Sequence, residues 1–293
     1  MADSQKQIVQ WFPGHMAKTR RQIKESLSLV DAVTELLDAR IPISSRNPEL
    51  DELTAKKPRI VLLNKCDMAD EKTTRLWIEY FKSIGQYAIA VDCRSGKGLN
   101  QYHTLVRKVL AEKIRQNEQR GMPGKALRVM VVGIPNTGKS SFINRMAGKN
   151  RAKVADKPGV TRHNQWFAIG NGIELLDTPG VLWPKFDDPE VGDKLSFIGS
   201  VKDEVTDSET MACRLLAVLA KDYAPLLCQR YKLNEADIID KQSYELLELI
   251  GKKRGMLIRG GEIDTERASV MLLDEYRGGK LGKISFEKPI TSI

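Results

Sequence analysis

The stretch from Gly133 to Ser140 constrains the fold of this chain most strongly. It reads Gly-Ile-Pro-Asn-Thr-Gly-Lys-Ser, which matches the phosphate-binding pattern G-x-x-x-x-G-K-[S/T], and an apolar run from Leu127 to Val132 precedes it. In such a loop the backbone N–H groups bind phosphate, the lysine reaches the β- and γ-phosphates, and the serine hydroxyl binds Mg²⁺. The sequence therefore predicts a nucleoside triphosphate site between a buried strand and a helix that runs to Ala147.

A second motif indicates which base the nucleotide carries. Asn64-Lys65-Cys66-Asp67 follows an apolar run of strand length, and the aspartate can accept hydrogen bonds from the N1–H and the exocyclic amine of guanine. Adenine offers no such donor pair, so N-K-x-D selects guanine, although only the accompanying phosphate loop makes so short a match specific. The residues predicted to recognise or support the base are Asn64, Lys65, Asp67 and, after the next apolar run, Cys93, Arg94 and Ser95.

A third signature, Asp177-Thr178-Pro179-Gly180, follows another strand-like run. Asp177 is expected to hold Mg²⁺ through water and the Gly180 N–H to contact the γ-phosphate, so that the next segment responds to that phosphate. Thr161 lies between the two motifs, where a switch threonine coordinates Mg²⁺. We therefore predict the magnesium ligands Ser140, Thr161 and Asp177, the catalytic residues Lys139 and Thr161, and the nucleotide contacts Asn136, Thr137, Gly138, Lys139, Ser140, Ser141, Thr161, Asp177 and Gly180.

The motifs stand in a permuted order. Ordinary GTPases carry N-K-x-D after the phosphate loop, whereas here Asn64 precedes Gly133. One fold can hold both orders because each of these loops leaves the carboxyl end of a parallel strand and the cut falls in surface connections. Apolar runs alternate with helical stretches, including one long helix from Asn100 to Gln119, until only helical patterns remain from Pro189 onward. We predict two domains. Residues 1–190 form a circularly permuted α/β P-loop GTPase domain, which has a Rossmann-like parallel sheet and a basic N-terminal helix. Residues 191–293 form a smaller all-helical domain.

The charge of the chain is unevenly distributed. Its 47 basic and 38 acidic residues give a net charge of +9, but residues 200–293 hold 15 basic and 16 acidic residues, so the first 199 hold 32 and 22. Such clustering is typical of a protein that binds a polyanion, with a well-solvated surface as the alternative. No apolar run approaches the roughly 18 residues of a membrane span, and the N-terminus lacks a signal-peptide core, so we expect a cytosolic protein. The four cysteines are too far apart to indicate a zinc site or a disulfide framework.

One family combines the permuted order with three further stretches of this sequence: Trp11–Met16 (Trp-Phe-Pro-Gly-His-Met), Leu37–Pro42 (Leu-Asp-Ala-Arg-Ile-Pro) and Asp177–Pro184 (Asp-Thr-Pro-Gly-Val-Leu-Trp-Pro). Through them the chain resembles the bacterial ribosome biogenesis GTPase A (YlqF) family, and its helical part resembles that family's RNA-binding domain less closely. The resemblance implies a cytosolic GTPase that uses Mg²⁺, converts GTP to GDP, binds the large ribosomal subunit (50S) and its rRNA late in assembly, and is stimulated by it. We expect no membrane partner and a monomer in solution.

The residues that would complete catalysis depend on the resemblance. Residues 181–183 are apolar, so none of them can orient the attacking water as the glutamine of many GTPases does. The resemblance assigns this role to His15, whose neutral imidazole can accept a hydrogen bond from water, with a packing role as the alternative. Asn136 corresponds to the asparagine that helps to bind K⁺ in cation-dependent GTPases, where the ion neutralises transition-state charge. The alternative for Asn136 is a side chain that stabilises a turn.

Two other functions fit parts of the sequence. One is a nucleotide-gated RNA chaperone in which hydrolysis is incidental. The other is a GTPase that serves tRNA modification or a membrane. The phosphate loop fits this function, but the cofactor site and the amphipathic anchor that it would need are missing from the sequence.

In the helical domain, Lys252-Lys253-Arg254 could contact rRNA phosphates or simply form a solvated surface.

Overall fold

The computed structural model describes residues 21, 23–148, 165–178, 180, 188–201 and 207–289. The described residues divide into two compact units. The sheet unit extends from Arg21 to Gly180 and also includes Ser285–Pro289, whereas the helical unit extends from Asp188 to Ile284. The domain bounds 1–190 and 191–293 stay a prediction, and no feature of the sequence indicated that the last described residues pack with the sheet unit.

Six strands form the centre of the sheet unit. They are β1 (Ala32–Asp38), β2 (Arg59–Asn64), β3 (Tyr87–Ala90), β4 (Leu127–Val132), β5 (Gln165–Gly170) and β6 (Ile173–Asp177). Their spatial order is β3-β2-β1-β4-β6-β5, and every neighbouring pair is parallel except β5 and β6. This mostly parallel sheet confirms the α/β fold class predicted from the sequence.

Strand β5 is a strand that the sequence prediction missed. It pairs antiparallel with β6 through a turn at Asn171 and Gly172, whose φ angles are 51° and 70°. Two consecutive residues with positive φ are typical of the tight hairpin turn that Asn-Gly favours. Phe167 and Ile169 are buried while Trp166 is exposed, as expected for a half-buried strand. The Asn-Gly pair between two apolar runs was therefore a signal that could have predicted this hairpin.

Helices cover both faces of the sheet. Residues of α1 (Pro48–Thr54) and α2 (Glu71–Ser83) pack against one set of alternate β1 positions, which includes Val33 and Leu37. Those of α3 (Tyr102–Val109), α4 (Ala111–Gln119) and α5 (Lys139–Ala147) pack against the other set, which includes Ala32 and Leu36. Burial on both faces is consistent with β1, whose residues are all buried, and with the apolar run Ile60–Leu63 in β2. Because the sheet is covered on both sides, ligands can reach the strands at their ends.

The predicted single helix from Asn100 to Gln119 is wrong. A short 3₁₀ turn at Leu99–Gln101 leads into α3, and the helix is interrupted at Leu110 before α4 begins. Leu110 has φ −100° and ψ 17°, outside helical values, and its side chain is buried in the core. No glycine or proline marks this position, so the periodicity of the sequence could not reveal the break.

The helical unit contains, within residues 188–201 and 207–284, six helices: α6 (Pro189–Phe197), α7 (Ser208–Asp222), α8 (Ala224–Tyr231), α9 (Glu235–Ile239), α10 (Ser243–Lys253) and α11 (Thr265–Arg277). Helices α6 and α8 were not predicted. Leu215, Leu246 and Leu272 are fully or almost fully buried, consistent with a helix-bundle core. One isolated antiparallel bridge joins Leu257 and Ile263 in the loop before α11.

Among the described helices of both units, none is long and apolar enough to cross a membrane.

Candidate nucleotide-binding site

Four loops meet at one edge of the sheet, where the parallel strands β1, β2, β4 and β6 end. The register pairs Asp38, the last residue of β1, with Asn64, the last residue of β2. On the other side of β1, the register pairs Val131 near the end of β4 with Asp177 at the end of β6. The strand order therefore brings the three sequence motifs to one edge, although they are far apart along the chain.

The phosphate loop has a backbone that needs its glycines. Gly133 and Gly138 have φ angles of 151° and 96°, and Asn136 also lies in the left-handed region with φ 62°. A Cβ on Gly133 would lie 2.6 Å from the carbonyl oxygen of Leu36, and one on Gly138 would overlap the Asn64 amide. Side chains at these two positions would therefore fill the space that the loop needs.

Two further features hold the loop against α5. The hydroxyl of buried Thr137 donates to the carbonyl oxygen of Ile134 at 2.9 Å, which closes the turn. Helix α5 begins at Lys139, so Ser140 and Ser141, both half-buried, lie in its first turn. The amino end of a helix directed at this loop favours an anion.

Lys139 is the charged group at the centre of this site. Its side chain is almost buried, with 8% of the residue exposed, and its Nζ donates to the carbonyl oxygens of Gly133 at 3.0 Å and Ile134 at 3.1 Å. Burial lowers the pKa of Lys139 to about 8, and the negative charge of Asp177 partly opposes this decrease. A Cβ on Gly180 would lie 2.8 Å from the same Nζ. The lysine of one motif and the glycine of another are thus neighbours, as a γ-phosphate between them would require.

The predicted magnesium ligands fall partly inside the described residues. Asp177 is 3% exposed at the end of β6, and its charge acts on Lys139 of the phosphate loop. A serine hydroxyl at the start of α5 and a carboxylate at the end of β6 are the oxygen ligands that Mg²⁺ prefers, so this donor set fits the ion. The Thr178 hydroxyl donates to the Val131 carbonyl oxygen at 2.7 Å and holds the chain just beyond Asp177. Thr161 lies outside the described residues, as does His15.

Asn64 connects three loops. Its Nδ2 donates to the carbonyl oxygen of Thr137 at 2.7 Å, and its Oδ1 accepts a hydrogen bond from the backbone N–H of Cys93 at 3.0 Å. Asn64 is buried, and its amide forms a bracket between these loops. Asp67, three residues later, is exposed and available to a ligand.

The loop from Cys93 to Ser95 is shaped by a residue that the sequence reasoning missed. The carboxylate of Asp92 accepts hydrogen bonds from the backbone N–H groups of Arg94 at 2.8 Å and Ser95 at 3.2 Å. Burial tends to raise the pKa of Asp92, but hydrogen bonds from the Ser95 side chain and from the two backbone N–H groups outweigh it, and the pKa is lower than usual. Arg94 and Ser95 are exposed, whereas Cys93 is buried, and burial raises the pKa of its thiol. An aspartate directly after a strand and before a short loop was the available signal.

Helix α5 also contacts this loop. The guanidinium of Arg145 donates to the carbonyl oxygen of Ser95 and lies 2.8 Å from where a Cβ on Gly96 would be. The base-support loop and the helix that follows the phosphate loop are thus in direct contact.

Lys65 takes part in a buried ion-pair cluster that the sequence motifs did not predict. Its Nζ lies 3.0 Å from Oδ2 of Asp38, and the Arg40 guanidinium contacts both oxygens of the same carboxylate at 2.8 and 2.9 Å. Burial alone would raise the pKa of Asp38, but Arg40 and Lys65 hold it well below its usual range. The carboxylate is therefore ionised, and it fixes the side chain of Lys65 beside the Asn64 bracket.

Together the permuted sheet, the glycine-dependent phosphate loop and the bracketed N-K-x-D loop define a circularly permuted P-loop GTPase. A family model described as "50S ribosome-binding GTPase" matches residues 128–258. Ribosome biogenesis GTPase A of Bacillus cereus is 48% identical over 282 residues, which cover 96% of this chain and 94% of that protein. The enzyme of the same name from Thermotoga maritima is 37% identical over 95% of this chain and 94% of its own length.

A solved structure agrees with these sequence matches. GDP-bound TM YlqF superposes with a TM-score of 0.67 at 33% identity, covering 92% of this chain and 99% of the other. The chain therefore belongs to the ribosome biogenesis GTPase A (YlqF) family. It is a GTP hydrolase with GTP as substrate and GDP as product. The family resemblance, fold class and enzyme class predicted from the sequence are confirmed.

Proposed function

We propose that this GTPase binds the large ribosomal subunit (50S) late in its assembly, that the particle stimulates GTP hydrolysis, and that hydrolysis leads to release. The observation that carries this proposal is the match of residues 128–258 to a family described as a 50S ribosome-binding GTPase. The excess of basic residues in the first 199 positions supports it, because rRNA is a polyanion. On this proposal the protein acts in the cytoplasm, as a monomer in solution.

The nucleotide site supports specific roles for its residues. Asp67 accepts from the guanine N1–H and amine, while Lys65 and the loop from Cys93 to Ser95 line the base. Lys139 is protonated at neutral pH, because its pKa is about 8, and it stabilises the charge on the β- and γ-phosphates. Ser140 and Asp177 would hold Mg²⁺, which when bound neutralises phosphate charge and favours departure of the leaving group.

Hydrolysis needs two contributions beyond the described contacts. We assign the positioning of the attacking water to His15, since residues 181–183 carry no polar group for that purpose. Asn136 would bind K⁺ beside the phosphates, where a cation supplies the charge that an arginine supplies in other GTPases. Its left-handed backbone turns the loop at this point.

Release after hydrolysis has a simple route along the chain. Gly180 lies next to Lys139, where loss of the γ-phosphate changes the contacts first. Only a short segment separates Gly180 from the helical unit, which begins at Asp188 among the described residues. A movement of Gly180 therefore reaches the helical unit through only a few residues of chain. The helical unit, in which Lys252 and Lys253 are exposed, provides a second surface for rRNA.

Co-sedimentation with purified ribosomal subunits tests the proposal. We expect the protein to migrate with the large subunit in a non-hydrolysable GTP analogue and to leave it in GDP, and we expect large subunits to raise the rate of phosphate release. A Lys252→Glu, Lys253→Glu variant should weaken binding and reduce its salt dependence. Absence of nucleotide-dependent migration with large subunits would refute the proposal, whereas release that proceeds unchanged without hydrolysis would favour the nucleotide-gated chaperone.

A further inference from the structure

The residues from Ser285 to Pro289, here called the tail, lie against the sheet unit. The Ser285 hydroxyl oxygen accepts a hydrogen bond from the backbone N–H of Asp70 at 3.0 Å. The N–H of Phe286 donates to the Arg40 carbonyl oxygen at 2.9 Å. In addition, the indole N–H of Trp77 donates to the carbonyl oxygen of Glu287 at 3.1 Å. The tail is thus attached at two places in the sheet unit, the loop after β1 and helix α2 with its preceding residue.

The Glu287 side chain makes several further hydrogen bonds to the loop after β1. Its carboxylate accepts hydrogen bonds from the backbone N–H of Ile43 at 2.7 Å and of Ser44 at 3.2 Å, and from the Ser44 hydroxyl. Hydrogen bonds to an ionised acceptor are roughly twice as strong as neutral ones. One carboxylate on three donors fixes the backbone of the loop that follows Asp38 and Arg40.

Both attachment points adjoin the guanine motif. Asp70 lies three residues after Asp67 and caps the amino end of α2, where its carboxylate accepts from the Thr73 N–H at 2.7 Å. On the other side, the Arg40 carbonyl oxygen is held by the tail while its side chain pairs with Asp38, which in turn holds Lys65. The loop from Lys65 to Asp67 is therefore constrained from both ends by groups that the tail contacts.

We propose that the tail is a positioning element of the guanine site, which keeps Asp67 in register with the base by bracing the loop after β1 and the start of α2. This inference rests on the proposed role of Asn64 to Asp67 in guanine recognition. A hydrogen-bonded pair of donors on the base tolerates little displacement of the carboxylate that accepts from them. The phosphate loop has its own supports in Thr137 and Asn64, so the loss of the tail contacts should affect base recognition more than phosphate binding.

The test compares GDP with IDP, whose base lacks the exocyclic amine of guanine, in full-length variants. Glu287→Ala should weaken GDP binding about fivefold or more and IDP binding less than about twofold, so that the preference for GDP decreases. Lys288→Ala changes the exposed neighbouring residue and should leave both affinities unchanged. Glu287→Gln keeps one acceptor oxygen and should give an intermediate preference.

Thermal melting of each variant separates positioning from stability. If Glu287→Ala does not fold, Ser285→Ala removes the acceptor for the Asp70 N–H and should reduce the preference for GDP in the same direction. Equal weakening of GDP and IDP, or a lower melting temperature with an unchanged GDP preference, would overturn the positioning role and leave a clasp that only stabilises the fold. If the wild-type protein itself does not prefer GDP to IDP, the guanine assignment fails, and this inference fails with it.

Discussion

The Nδ2 atom of Asn64 donates a hydrogen bond of 2.7 Å to the carbonyl oxygen of Thr137, and this contact joins the base side of the nucleotide site to its phosphate side. Asn64 comes from the first half of the permuted domain and Thr137 from the second, 73 residues later. The other end of the same amide accepts from the Cys93 N–H. Both ends of the Asn64 side chain are therefore used, and the two halves of the site form as one structure.

Replacing Asn64 by alanine should damage both stability and binding. The substitution leaves the carbonyl oxygen of Thr137 and the N–H of Cys93 without this partner, so we expect a loss of about 2 kcal/mol in the free energy of unfolding. GDP affinity should fall more than about tenfold, because the base and phosphate loops lose their common bracket. Urea unfolding and calorimetric titration measure the two effects. Asn100→Ala, at an exposed position, is the control, and a GDP affinity equal to wild type in Asn64→Ala would contradict the bracket.

Asp67→Asn should change the base that is preferred. An amide presents one acceptor and one donor, which match the N1–H and the C2 carbonyl of xanthine rather than the two donors of guanine. We expect GDP affinity to fall about 100-fold or more and XDP affinity to rise, because the mismatched partner leaves polar groups unpaired. Competition of both nucleotides against a fluorescent analogue measures the exchange. A variant that still prefers GDP would show that Asp67 does not read the base.

The pKa of Lys139 predicts a pH dependence of nucleotide binding. In the empty site burial lowers this pKa to about 8, and a bound phosphate raises it, because the negative charge favours the ammonium form. Below pH 8 the lysine is already protonated, but above pH 8 binding must take up a proton, so affinity should decrease by up to about tenfold per pH unit.

Calorimetry of GDP binding at pH 8.5 in two buffers of different ionisation enthalpy checks this expectation. We expect net proton uptake in the wild-type protein, whereas Lys139→Arg, whose side chain stays protonated, should show much less. Binding without proton uptake at that pH would mean that the lysine does not approach the phosphates.

His15→Ala should separate binding from stimulated turnover. We expect GTP affinity to be unchanged and the stimulation of hydrolysis by large ribosomal subunits to be lost, since the proposed role concerns only the attacking water. Phosphate release with and without subunits measures this. Full stimulation in the variant would exclude His15 from catalysis.

A comparison of salts tests the cation site. Turnover in KCl should exceed turnover in NaCl at equal ionic strength, and Asn136→Ala should abolish the difference, because the proposed ion compensates transition-state charge. Equal rates in the two salts would identify Asn136 as a structural residue of the loop.

Much of the site could be predicted from the sequence because its motifs are local. The phosphate loop needs glycines at 133 and 138 where the backbone turns and crowds its neighbours, and that requirement shows directly in the spacing of the motif. The same is true of Asp67, the aspartate proposed to recognise guanine, which follows a strand at a fixed distance. The order of the motifs along the chain was sufficient to infer the permutation, because the loops at the carboxyl ends of parallel strands lie at one edge of the sheet whichever motif comes first.

Three other features were missed, two of them although a local marker was present. Strand β5 was missed although Asn171 and Gly172 marked its turn, and the break at Leu110 carries no marker at all. The carboxylate of Asp92 shapes the base-support loop through short-range hydrogen bonds. An aspartate between a strand and a short loop was the signal that could have predicted them. In each case the deciding factor was packing or turn geometry rather than apolar periodicity.

By itself, the sequence determined the nucleotide class, the permuted order and the family, because each follows from short motifs or from their order along the chain. Only the tertiary structure decided that Lys65 is held by Asp38 and that Ser285 contacts Asp70, 215 residues away. Such contacts depend on the strand order, and a hydrogen bond between distant residues leaves no periodicity in the sequence. The physical reason is that spacing records local backbone geometry, whereas the contacts of Lys65 and Asp70 join groups that only the folded chain brings together.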